Sequence, residues 1–277
     1  MSALRSCLVL TACIFIAAPH AQESLTDAAR RKSFDQILDL YVRNGDVYYR
    51  ALKSDRGKLD GFVNAITAAS VDQRPRDEQI AFWLNAYNAL VLRTVVDHYP
   101  IAGRSSDYPQ KSIRQIPGAF EKTPHRVGSR SVTLDQIEKE VLPSFRDPRV
   151  YFALGRGAVG GGRLRSEAFV PARLEEQLAD VAAECVSRAQ CAQLDRESGK
   201  MTVSSIFSWH EKEFADAYAD KAPASVSNRS PIERAAVAFV FPKLMTAERD
   251  MVEKNAFQVD YKPFDWTLND LTGRGGR

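Results

Sequence analysis

The chain has 277 residues, 44% of them hydrophobic and 26% charged, with 15 Gly, 13 Pro and 4 Cys. That balance excludes a disordered chain, a collagen and a small disulfide-stapled module. Its 38 basic and 35 acidic residues leave a formal charge of +3, without the concentrated positive field of a nucleic-acid binder, so no nucleic-acid partner is expected.

At the N-terminus Arg5 precedes an uninterrupted apolar run from Cys7 to Ala18, and Ala18-Pro-His-Ala21 leads into polar Gln22-Glu-Ser24. A short positive region, an apolar stretch and small residues before a polar segment describe a secretory signal peptide over residues 1–21, cleaved near Ala21. The run is shorter than the roughly 20 apolar residues that span a bilayer, so no transmembrane segment is expected in the mature chain. A periplasmic or secreted protein follows. Leu10-Thr-Ala-Cys13 offers the alternative of a lipoprotein anchored through Cys13, against which the apolar Ile14-Phe-Ile16 argues.

Removal of residues 1–21 takes away Cys7 and Cys13 and leaves Cys185 and Cys191. In an oxidising compartment that pair can form a disulfide, provided the helix carrying Cys185 ends before Cys191, with Arg188-Ala-Gln190 as the turn. Two free thiols are the alternative.

Beyond the signal the pattern is helix-rich with short strands. Ala28, Phe34, Ile37, Leu38 and Tyr41 mark a helix over 25–43, stopped by Asn44-Gly-Asp46. Val47-Tyr-Tyr49 is β-prone, and 58–69 is predicted helical. Pro75 opens a helix through Val96 that is apolar on nearly every face, the expected central buried element. Thr133 caps a predicted helix over 134–142, and Val150-Tyr-Phe-Ala-Leu154 is a strand candidate. A helix is expected over 172–186, a strand over 201–203, a helix over 204–214 and another over 231–241. A last strand is expected over 257–261. The fold class is therefore α+β, a single helix-rich domain with a small β-sheet over residues 22–271, followed by a flexible tail at 272–277.

Gly155-Arg-Gly-Ala-Val-Gly160 satisfies G-x-G-x-x-G, but a dinucleotide loop needs a helix beginning inside it, and the next helix signal is Pro171. Nor does an acidic strand end follow about 20 residues on, where a ribose would be held. No cofactor is expected. What remains is a glycine loop flanked by Arg156, Arg163 and Arg165, whose amides and guanidinium groups suit a small anionic ligand.

Phe82-Trp-Leu-Asn-Ala-Tyr-Asn-Ala-Leu-Val91, followed by Tyr99-Pro100, resembles the F-W-x-N-x-Y-N-A-L signature of the domain of unknown function 547 family. Val132-Thr-Leu-Asp-Gln-Ile-Glu138, Asp147-Pro-Arg-Val-Tyr-Phe-Ala-Leu154, the stretch from Val203 to Phe214, and Phe264-Asp-Trp-Thr-Leu-Asn269 are similar to four further motifs of that family in the same order. The family usually continues its strand as N-C-G-A-x-S-C-P-P-L and carries His before F-A-L. Here the two cysteine positions are Arg156 and Gly161, and the His position is Tyr151. A thiolate nucleophile with its base, or a Cys/His metal site, is therefore absent at these positions, which argues against an enzyme and against a metal.

Among the remaining histidines, His98 is expected to be partly buried at a helix end and His125 to be solvated in a polar loop. His210 stands where the family usually has Tyr and is the one weak catalytic candidate, through a relay with Asp265 or Glu211. Asn85 and Asn88, three apart on an apolar helix, must each hold a loop or a ligand. Trp83, Trp209 and Trp266 are expected in the core. The ligand-binding candidates are thus Asn85, Asn88, Tyr151, Arg156, Gly157, Arg163 and Arg165. Two functions are expected from this set. One is non-catalytic binding of a small anionic ligand or an envelope protein; the alternative is a hydrolase or transferase acting on envelope peptide or glycan near His210.

Overall fold

The computed structural model describes residues 23–273. The expected signal peptide, with Cys7 and Cys13, and residues 274–277 of the expected tail lie outside them. Helix α1 (Leu25–Tyr41) starts on Ser24, whose hydroxyl accepts from the Asp27 N–H, and ends where Val42 turns extended. Strands β1 (Val42–Arg43) and β2 (Asp46–Val47) form a hairpin around Asn44 and Gly45, both at positive φ. Only the first residue of the β-prone run 47–49 is strand, because Tyr49 opens helix α2 (Tyr49–Ser54).

Helix α3 (Gly57–Ile66) follows, then α4 (Arg76–His98), which Pro75 precedes and whose first turn carries Asp77 and Glu78. Residues of α4 from Ile80 to Val96 are buried on nearly all sides, and α1, α2 and α3 all pack against it. It is the hub of one hydrophobic core that extends from Phe34 to Leu268. His98 is exposed at its last turn, with Nδ1 2.9 Å from the Thr94 carbonyl, rather than partly buried as expected.

Strands β3 (His125–Val127) and β4 (Arg130–Val132) form a second hairpin. The expected solvated His125 lies on β3 and is only 3% exposed, because the residues after Pro124 pair as a strand and turn its ring inward. Helix α5 (Leu134–Gln136) begins with a reciprocal Thr133/Gln136 cap, then widens into a π turn over Ile137–Val141. The strand expected over 150–154 is a 3₁₀ turn, Pro148–Phe152. Asp147 caps it through the Arg149 N–H and Pro148 starts it; a short run buried on every side has no period that separates strand from helix.

Helix α6 (Leu174–Ser187) ends before Arg188, and the turn that follows brings Cys191 back to Cys185, with Cα atoms 5.2 Å apart in a disulfide. Strands β5 (Ala192–Asp195) and β6 (Lys200–Ser204) are antiparallel. The helix expected over 204–214 is two helices, α7 (Ser205–Trp209) and α8 (Glu211–Tyr218), broken at His210 with φ −123° and ψ 40°. Helix α9 (Pro231–Val240) has a Ser230/Glu233 capping box, and α10 (Thr246–Glu253), which no sequence signal singled out, precedes β7 (Gln258–Lys262). Strand β7 pairs parallel to β6, completing a three-stranded sheet. Helices with small sheets make the domain α+β. No helix of the described residues is long and apolar enough to cross a membrane.

Candidate functional site

The glycine loop is built for close packing. A Cβ on Gly162 would stand 1.5 Å from the Phe152 carbonyl oxygen, and one on Gly160 would stand 2.5 Å from the Asp265 backbone nitrogen. These glycines let the C-terminal strip lie directly on the loop: the Val159 N–H donates to Thr267 O at 2.9 Å and the Gly160 N–H to Asp265 O at 2.8 Å. The strip in turn carries Trp266. Helix α6 begins at Leu174, well beyond the loop, so the loop does not lead directly into a helix N-terminus.

The two asparagines of α4 clamp backbone. Asn85 Nδ2 donates to Phe169 O at 2.9 Å, and its Oδ1 accepts from the Phe169 N–H at 2.9 Å. Asn88 Nδ2 donates to Ala153 O at 3.1 Å, and its Oδ1 accepts from the Gly155 N–H at 2.8 Å. Both amides are buried and committed to these bonds, which fix the two ends of the segment that carries the glycine loop.

The loop arginines do not converge on a common anion. Arg163 reaches Glu184 at 2.9 Å and Asn44 Oδ1 at 2.7 Å, while Arg165 pairs with Glu167 and lies 3.6 Å from Asp180. Arg156 turns inward instead and is 1% exposed. Its backbone sits at φ 39°, which costs an L-residue about 1 kcal/mol. Its Nη2 donates to Glu138 Oε1 at 2.5 Å, its Nε to Glu138 Oε2 at 3.2 Å, and its Nη1 to the Tyr151 carbonyl at 2.9 Å. Gly157, also at positive φ, carries the loop away beneath Val91, Val95 and Ile113.

Glu138 is the centre of this cluster, and sequence reasoning passed over it. Its Oε2 also accepts from Tyr87 OH at 3.1 Å, and its Oε1 lies 3.0 Å from His210 Nε2. Burial by itself would raise its pKa; the Arg156 charge and the bonds from His210 and Arg156 outweigh that and hold the carboxyl well below the usual carboxylate range. A signal did exist, because Glu138 follows Leu134 by four positions and so shares its apolar face. The partner of His210 is thus neither Asp265 nor Glu211. The break between α7 and α8 turns its ring inward, onto Tyr151, with ring centroids 3.5 Å apart and planes 6° apart. Tyr151 is buried, its phenol pushed up by burial and then by Glu213, and its hydroxyl has no hydrogen-bond partner among the described residues.

Above this cluster opens a cleft of about 330 Å³ lined by Arg114, Phe120, Asp135, Glu138, Lys139, Arg156, Trp209, His210 and Trp266. Trp209, expected in the core, is 44% exposed, and Trp266 is half-buried beside it; Trp83 is buried elsewhere. Among the described residues no Ser, Thr or Cys lines the cleft. Among the described residues no group of three or more His, Cys, Asp or Glu side chains is placed to hold a metal ion.

The molecule is thus an α+β domain with an aromatic-walled cleft floored by a buried ion pair. Residues 71–186 match the family described as protein of unknown function, DUF547, which the motifs in this segment resemble. The matched segment contains Tyr87, Glu138, Tyr151 and Arg156, whereas Trp209, His210 and Trp266 lie beyond it. No curated protein and no solved structure matches the chain.

Proposed function

We propose that the protein is a non-catalytic ligand-binding protein of the cell envelope, taking its ligand in the cleft above Glu138. The observation that carries this reading is the state of the floor. Glu138 is saturated by Arg156, Tyr87 and His210, and no Ser, Thr or Cys of the described residues lines the cleft beside them. Such a floor is preorganised and chemically quiet, which suits recognition more than covalent chemistry. The envelope location is supported by the signal-like N-terminus and by a disulfide suited to an oxidising compartment. The test is native mass spectrometry of the protein released from its own envelope by osmotic shock. A chain starting near Gln22 with an intact noncovalent ligand is expected. A cytoplasmic chain starting at Met1, or a ligand converted to product during incubation, would overturn the reading.

A second reading rests on His210. If its Nε2–H donates to Glu138, as that network assigns, Nδ1 is left as an acceptor without a partner among the described residues. An imidazole so oriented can take a proton from a water and support hydrolysis of a cleft-bound envelope peptide or glycan. Turnover lost in His210→Gln with ligand binding retained would establish it; retained turnover would exclude it.

A further inference from the structure

Trp209 is the most exposed tryptophan in the described structure, and it does not stand alone. Its ring lies 4.8 Å from Phe264 and 6.1 Å from Trp266, the two indole planes only 18° apart, while Phe264 and Trp266 are 4.4 Å apart. Phe120 abuts Trp266 edge-on at 5.7 Å, and the Arg114 guanidinium lies 4.4 Å from both of those rings. The result is an aromatic wall at the mouth of the cleft, with Trp209 exposed, Phe264 and Trp266 half-buried and Phe120 buried behind them.

The charges around it are already matched. Arg114 pairs with Glu121, Lys139 with Asp135 at 2.6 Å, and Arg156 with Glu138 at 2.5 Å. A charged ligand would therefore have to break an existing pair, because among the described residues lining the cleft each Lys and Arg already has a carboxylate partner. The ligand that fits presents a flat C–H face to the indoles and neutral hydrogen-bonding groups to the polar side. At the rim, Asp135 and Lys139 can accept from and donate to hydroxyls, and His210 can accept at Nδ1. A neutral pyranose has both surfaces on one ring.

We infer that the cleft binds a neutral saccharide, one ring stacked on Trp209 and Trp266 with its hydroxyls turned to Asp135, Lys139 and His210. This deepens the binding reading above and rests on it. The cleft, at about 330 Å³, is near the lower end of ligand sites, roughly 300–1,000 Å³, so a short oligosaccharide end is the expected occupant.

The test is titration calorimetry and tryptophan fluorescence with four probes: triacetylchitotriose, cellotriose, trigalacturonic acid and a proline-rich hexapeptide. At least one neutral trisaccharide should bind and shift the tryptophan emission. Trp209→Ala should weaken it by at least about tenfold, the loss expected for one stacked ring. Trp83→Phe, in the core, should leave the affinity unchanged and serves as the control. Tighter binding of trigalacturonic acid or of the peptide, lost in Trp209→Ala, overturns the saccharide class and leaves cleft binding in place. Trisaccharide binding unaffected by Trp209→Ala overturns the placement. If no probe binds, the saccharide inference fails; if the protein from its own envelope also retains no ligand, the binding reading fails with it.

Discussion

Arg156 and Glu138 form a two-bonded ion pair in which the guanidinium is 1% and the glutamate residue 7% exposed, sealed between α4, the π turn after α5 and the broken helix at His210. A pair so deeply desolvated gains little over apolar replacements, yet removing one partner strands a charge. Arg156→Met is therefore expected to cost about 3–5 kcal/mol in urea unfolding, and Glu138→Leu a comparable amount. The double variant should recover much of the loss. Additive losses in the double variant would show that the two groups are not coupled.

Asn88 predicts a local effect. Asn88→Ala leaves the Gly155 N–H and the Ala153 carbonyl unpaired in the interior, at a cost of about 1–3 kcal/mol. Amide exchange at Gly155 should accelerate well before that of α4. Unchanged exchange would mean that the glycine loop is held by its other contacts.

Two glycine substitutions should act in opposite directions. Gly162→Ala drives its methyl into the Phe152 carbonyl and forces the loop apart, so a large drop in Tm or failure to fold is expected. A Cβ on Gly61, exposed within α3, meets nothing within 4 Å, and Gly61→Ala should stabilise by roughly 0.5–1 kcal/mol. Thermal melts of the two variants separate packing from propensity.

His125 should make the fold acid-sensitive. Burial, with Arg93 adding to it, pushes its imidazole from 6.5 down to about 4, so the unfolded chain binds the proton more readily. The stability this group contributes is complete above pH 6.5 and is lost as pH falls from 6.5 towards 4, by up to about 3 kcal/mol. Glu138, depressed in the fold, adds to the loss only once pH falls below the unfolded carboxylate value of about 4.3. The interval from 6.5 to about 4.5 therefore isolates His125, and His125→Phe should flatten the stability slope there. A slope equal to that of the parent would show that other groups carry it.

Much of the architecture was legible in the chain itself. Pro75, the all-round apolar character of α4, the Thr133 cap and the stop near Arg188 are local signals, because caps, periods and turn residues act within a few positions of themselves. The disulfide followed from the same logic, since ending α6 at Ser187 is what lets Cys191 approach Cys185. Val150 to Phe152 and the segment around His210 were misread for a common reason. A short stretch buried on every side, or one bent to aim a single side chain, has no period to read.

The site lay beyond the sequence for a different reason. Glu138 meets Arg156 across 18 positions, His210 across 72 and Tyr87 across 51. From sequence, Arg156, Arg163 and Arg165 were three equivalent loop cations. Folding sent one into the core and two to separate surface carboxylates, because each guanidinium goes to whichever acid the backbone brings within reach. The sequence by itself determined most of the elements and the residues of the glycine loop, with Arg156 and Gly161 in it and no cysteine. Which charges were neutralised, which tryptophan stayed bare and where a cleft opens were decided only when distant segments packed, since burial and pairing are properties of neighbours in space.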